Sequence, residues 1–179
     1  ALRESTPLLV AWDDHDYGKD DAGGDFKHRE FSESLYTYAW NIEQSDERTS
    51  RPGVYLERTV GPVGKRVQFI TLDTRSFRTS LTRHPDQDIG RYVESQDPNQ
   101  NVLGETQWKW LAEQLRRPAD IRIIVTPIQL IADGHHWESW RIMPAERERL
   151  YRLLSSSKAN GVVVVSGDRH SAAIYALTE

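Results

Sequence analysis

Four consecutive valines, Val162–Val165, run straight into Ser-Gly-Asp-Arg-His, and this junction constrains the fold more than any other stretch of the chain. An uninterrupted apolar run of strand length, bounded by glycine, reads as a strand covered on both faces. Such a strand needs helical layers around its sheet, so an α/β protein is expected rather than an all-β or all-helical one. The junction also delivers Asp168 and His170 to a turn at the strand's C-terminal end, where α/β proteins commonly build sites. A second junction has the same form. The apolar run TPLLVAW is followed by DDHDYGKDDAGGD, which holds six Asp against one Lys. Read as a second buried strand feeding a loop, it presents an acidic surface that calls for a cation.

Between these junctions the pattern alternates. Phe31, Leu35, Tyr38, Ala39 and Ile42 recur at helical spacing, predicting one amphipathic helix from Phe26 to about Gln44 that stops before Arg51-Pro52-Gly53. GVYLERTV and KRVQFITLDTR flank the turn GPVG and predict a hairpin whose second strand ends at Asp73. Residues 80–102 are polar, contain Pro85 and Pro98, and show no period, as for an excursion from the fold. ETQWKWLAEQLRR predicts a helix over Glu105–Arg117, ended by Pro118. IRIIVTPIQLI predicts a buried strand, PAERERLYRLL a helix opened by Pro144, and the segment after Gly167 a last strand beginning near Ala172.

The 179 residues, 37% of them hydrophobic, are enough for a single domain spanning 1–179 with a sizeable core. Tryptophans are expected to anchor that core, at Trp12, at Trp108 with Trp110, and at Trp137 with Trp140. No apolar run approaches the roughly 20 residues of a membrane span. Lys and Arg are scattered and the net charge is -4, so no basic stripe suits a long nucleic acid. The absence of cysteine excludes disulfides, thiolate ligands and a Cys nucleophile, but leaves the compartment open.

Chemistry concentrates at the two junctions. Taken alone, WDDHD also fits an exposed acidic turn, and SGDRH a turn with a salt bridge; their occurrence after two separate strands favours a joint site. Carboxylate oxygens and a neutral imidazole from Asp14, Asp168 and His170 would suit Fe, Mn, Zn or Ca. The spacing of Asp14, Asp16, Asp20 and Asp25 mimics an EF-hand, but Lys19 stands where the sharp turn needs Gly and Asp25 where a Glu is needed. His135, His136 and Glu138 read either as a surface loop or as a ligand with its supporting partner. Arg75 and Arg78 read either as holders of phosphate oxygens or as structural cations, with Asp73 the obvious partner of Arg75. GPVGKR lacks the glycine spacing of a phosphate-binding loop, and neither a Gly-x-Ser-x-Gly elbow nor a Gly-x-Gly-x-x-Gly turn occurs.

In order, WDDHD, LDTRSFR, LGETQWKWLAEQL and SGDRHSAAIY resemble the PhoD-like (alkaline phosphatase D) family of the calcineurin-like metallophosphatase superfamily. The resemblance implies a four-layer α/β/β/α sandwich, hydrolysing phosphate mono- or diesters with metal ions, iron with calcium by family habit and manganese or zinc as alternatives. By position, WDDHD corresponds to the superfamily's Gly-Asn-His-Glu/Asp motif and SGDRH to its late Gly-His-x-His motif. Asp14, Asp168 and His170 then fall at metal positions, and His15 at the imidazole assisting the leaving group while a metal-activated water attacks phosphorus. Asp13, Asp16 and Arg75 are expected around the substrate, with Asp13 or Asp16 able to orient His15 or to cap the following turn. Nothing before Leu8 matches the superfamily's early ligand strand or its Gly-Asp motif. The chain is therefore expected to hold a partial catalytic domain lacking the N-terminal strands, with a catalytically incomplete binding or structural role as the alternative. Nucleic-acid phosphodiesters are a less favoured substrate, and an extracellular or periplasmic home is implied by the family alone.

Overall fold

The computed structural model describes residues 5–176. Four strands, β1 (Leu56–Val60), β2 (Val67–Thr71), β3 (Ile121–Val125) and β4 (Val162–Val165), form one mixed sheet in the order β1-β2-β3-β4. β1 and β2 make the expected antiparallel hairpin, with Leu56 opposite Thr71 and Val60 opposite Val67. Its turn depends on Gly61, which has φ +93; a Cβ there would lie 2.1 Å from the Lys65 carbonyl oxygen. β2, β3 and β4 run parallel, so helical crossovers must join them. The crossover elements are α3 (Gly104–Leu115) and α4 (Pro144–Ser157), both close to the lengths their apolar spacing predicts. Pro144 opens α4, where the missing N–H costs nothing. Two further helices precede the sheet, the single turn α1 (Asp14–Tyr17) and α2 (Arg29–Ala39).

Two clusters form the interior. The larger covers one face of the sheet: Ile70 and Ile124, neighbours across β2 and β3, pack with Trp108, Leu111 and Leu115 of α3, Leu150 of α4, and Trp140. The smaller collects Trp12, Tyr17, Ala22, Tyr36 and Val54 beneath the acidic loop. Trp12 stands edge-on to Tyr17 at 4.9 Å and to Tyr36 at 5.4 Å, and the Tyr36 hydroxyl donates to the Val10 carbonyl at 2.6 Å.

The α/β class holds, and several local expectations are corrected. TPLLVAW forms no strand: residues 7–13 are irregular, Leu8 and Leu9 are exposed, and burial is confined to Trp12, which its aromatic neighbours draw in. α2 forms, but Phe31, Leu35 and Tyr38 face outward. The helix instead buries Ser32 and Tyr36, roughly a quarter-turn away. β4 is covered on one face only. Val162 and Val164 pack on the larger cluster, whereas Val163 and Val165 are about half exposed, because β4 is an edge strand and its second face meets no layer among the described residues. Residues 171–176 form no strand. Trp137 is exposed, unlike its neighbour Trp140. Residues 80–102 carry only an isolated bridge between Arg83 and Tyr92, as the lack of period implies.

Candidate functional site

The acidic loop starts at Asp13, whose amide donates to the Asp16 carboxylate at 3.2 Å, closing the first turn of α1. Asp16 therefore caps this turn, one of the two roles weighed for it. The chain then bends at Gly18, and a turn between Lys19 and Ala22 returns it across α1, with Asp21 in the left-handed region at φ 54. This reversal brings Asp20 back over His15. Asp14, His15 and Asp20 each direct one ligand atom into a group within 4.8 Å of one another.

The three residues differ in how firmly they are held. Asp14 is buried and its orientation is fixed by two amides, that of His15 on Oδ1 at 2.8 Å and that of Asp21 on Oδ2 at 2.9 Å. Burial alone would raise its pKa, but those amides and the nearby Arg75 charge outweigh it and hold the carboxyl below its usual range. Asp20 is exposed and pairs with Arg91 through Oδ2, leaving Oδ1 facing His15. His15 is largely exposed, with Nε2 3.9 Å from both Asp14 Oδ2 and Asp20 Oδ1. At that separation neither contact is a direct hydrogen bond, and neither partner is Asp13 or Asp16.

Beneath the loop lies a buried charge network. Arg75, fully buried, donates to Asp13 Oδ1 through Nε at 2.9 Å and also through Nη2. Its Nη1 meets Glu138 Oε1 at 2.9 Å and its Nη2 meets Glu138 Oε2 at 2.6 Å. Arg78 Nη2 reaches Glu138 Oε1 at 3.0 Å and donates to the Asp21 carbonyl at 2.6 Å. Of the two roles weighed for Arg75, the structural cation is the one seen, with partners other than Asp73. Its guanidinium is taken up by Asp13, Glu138 and the Ala22 carbonyl and is closed to solvent, while Asp73 accepts only its backbone N–H. Asp13 is likewise spent on Arg75; burial, only partly offset by Arg75, pushes its carboxyl up. Asp73 knots the end of β2, accepting from Val54 N–H, Ser76 N–H and the Ser76 hydroxyl, while Gln107 of α3 bonds both its N–H and its C=O. Gly23 lets the loop lie against Arg78; a Cβ there would sit 2.9 Å from the Arg78 carbonyl oxygen.

The second junction approaches the first. Asp168 is pushed up to about 6, first by burial and then by the charge of Asp13, with Asp14 also contributing. His170 is exposed, and among the described residues neither it nor Asp168 joins a group of three ligand atoms. Asp168 and His170 both have positive φ, 68 and 50, so this turn is shaped by backbone conformations that non-glycine residues rarely adopt.

Sequence reasoning placed Asp14 and His15 at the site but passed over Asp20, which drew notice only as part of the rejected EF-hand spacing. Its signal was the Gly18-Lys19 reversal. Glu138, for which the sequence leaves a surface loop or a supporting partner of a ligand open, is buried against cations contributed by a different segment.

The PhoD-like phosphatase family model matches residues 1–179. The chain belongs to the PhoD-like phosphatase family. It is 27% identical over 189 residues to alkaline phosphatase D of Bacillus subtilis (strain 168), covering 96% of this chain and 32% of that protein. A solved structure of PhoD superposes with a TM-score of 0.67 at 25% identity, covering 92% of this chain and 34% of that one. The chain thus spans about a third of the length of the PhoD proteins it matches. The match to a mixed α/β structure accords with the expected partial sandwich, of which the described residues hold one sheet. No helix among the described residues is long and apolar enough to cross a membrane.

The donor set fits a metal. The carboxylates of Asp14 and Asp20 suit a hard cation, with the His15 imidazole beside them, and each Asp14 oxygen keeps a lone pair beyond the amide it accepts.

Proposed function

We propose that this chain carries part of the centre of a metal-dependent phosphoric ester hydrolase acting on small phosphate mono- or diesters. The observation that carries the proposal is the Asp14–His15–Asp20 group, set in the acidic loop of a chain that matches the PhoD-like family throughout. Asp14 and Asp20 would hold a metal, with Asp168 the further ligand from the facing turn and His170 beside it. Calcium with iron is the pairing favoured by the family, and manganese or zinc would suit the same oxygens. When bound, the metal supplies Lewis-acid stabilisation of phosphoryl charge.

The chain's own residues do the rest. Asp14 is held in one orientation by the His15 and Asp21 amides, so its free lone pairs point where they are needed without reorganisation. His15, exposed above it, is free to carry a proton to the departing ester oxygen. Asp13 stays on Arg75 and fixes the start of α1. An exported location belongs to the same proposal and rests on the family alone.

Hydrolysis of bis(p-nitrophenyl) phosphate by the purified chain, with calcium plus iron or with manganese, tests this reading beside His15→Ala. The variant should lose on the order of a hundredfold in kcat while keeping its metal. Unchanged turnover removes His15 from the reaction. Asp14→Ala should lose the metal itself, and full occupancy by plasma mass spectrometry contradicts its assignment. A chain that binds metal but turns over nothing in either form supports the incomplete, binding-only role.

A further inference from the structure

We propose that Glu138 is the positioning residue of the acidic loop, holding Asp14, His15 and Asp20 in register through two buried arginines; this rests on reading that loop as a metal site. Glu138 is 2% exposed and lies in the segment between β3 and α4, far in sequence from the loop it serves. It touches none of the three ligand atoms. Its Oε1 instead accepts from Arg75 Nη1 at 2.9 Å and faces Arg78 Nη2 at 3.0 Å, and its Oε2 forms an ion-pair contact with Arg75 Nη2 at 2.6 Å.

Each arginine then grips the loop at a different point. Arg75 holds the Asp13 carboxylate at the start and the Ala22 carbonyl, at 3.3 Å, near the end. Arg78 holds the Asp21 carbonyl at 2.6 Å. These three contacts bracket residues 14–20, and the Asp21 peptide carries the effect inward, since its own N–H orients Asp14 Oδ2. Glu138 is needed because two guanidiniums side by side in a closed interior repel and are poorly solvated. Asp13 offsets one of them and lies on the Arg75 side only. Arg78 has no other side-chain carboxylate in contact among the described residues, and burial holds it below its usual range despite Glu138.

The test compares the wild-type chain with Glu138→Gln, which keeps the shape and removes the charge. Hydrogen exchange reads the loop itself, and Mn²⁺ binding followed by the EPR signal of the free ion reads the site. Exchange of the amides of residues 13–22 should quicken at least tenfold while β2 and β3 keep their protection, and Mn²⁺ affinity should fall at least tenfold. Ile124→Val, a loss of packing elsewhere in the core, should leave both readouts unchanged and so separates positioning from general destabilisation. Should Glu138→Gln fail to fold, the charge-balanced Glu138→Gln/Arg78→Met pair takes its place, since it leaves Arg75 matched with Asp13. Wild-type exchange in the loop of a folded variant overturns the proposal, as does loop exchange that rises with unchanged Mn²⁺ affinity. A wild-type chain that binds no Mn²⁺ defeats the metal reading instead, and loop exchange alone then decides whether Glu138 positions residues 13–22.

Discussion

The acidic loop and the Ser-Gly-Asp-Arg-His turn begin as the same device, an apolar run followed by ionisable residues, yet they are built on opposite principles. The loop has no strand behind it, but lies on an aromatic bed of Trp12, Tyr17 and Tyr36 and is gripped from below by Arg75 and Arg78. The turn has its strand, β4, but that strand is an edge with one face open. Its ties to the rest of the fold are the bond from Gly167 N–H to the Pro127 carbonyl at 3.0 Å and Arg169 lying over the Trp137 ring at 4.8 Å. Position at the end of a strand is therefore not what orders these two segments. Long-range pairing of buried charge orders the first one.

Removing that pairing should have the largest effect. Arg75→Met leaves Asp13 and Glu138 without their shared cation, and breaking a buried pair in this way costs about 3–5 kcal/mol. Urea denaturation measures it, and a loss below about 1 kcal/mol would mean that the network does not hold the loop. On the other side of the comparison, β4 offers adjacent valines on opposite faces. Val164→Thr places a hydroxyl against the larger cluster and should cost about 1–3 kcal/mol. Val163→Thr, on the open face, should stay within about 0.5 kcal/mol. Equal costs at the two positions would show that something covers the second face.

The smallest effect is a pH dependence at the turn. In the metal-free protein Asp168 titrates at about 6, against 3.8 for an unperturbed Asp. The folded state binds this proton more tightly than the unfolded chain does. Its favourable contribution is thus complete below about pH 4 and is lost as pH rises through about 6. Asp168→Asn should flatten the stability profile across that window, and a carboxyl carbon titration by NMR should place the midpoint near 6 in the parent. A midpoint near 4 would mean that the carboxyl is neither buried nor held close to Asp13 and Asp14.

Much of this was legible in the sequence. Alternation and β-branching marked the hairpin, helical spacing marked α3 and α4, and the density of aspartate marked the loop. Spacing also marked α2, but not which side of it would be buried: the stripe of Phe31, Leu35 and Tyr38 met no partner, while Tyr36 found Trp12. The roles of Asp20 and Glu138 were hidden for a related reason, since they depend on a chain reversal and on cations from another segment.

The amino-acid sequence by itself determined the hairpin, the crossover helices and where acid gathers, since backbone preference and periodicity act over a few residues. Only the tertiary structure decided which carboxylate meets which cation. Arg75 meets Asp13 and Glu138 across 62 and 63 residues of chain, although Asp73 is two residues away. The physical reason is burial. Once a guanidinium is closed off from water it must be satisfied by whatever charge the fold brings to it, and that is set by packing rather than by proximity along the chain.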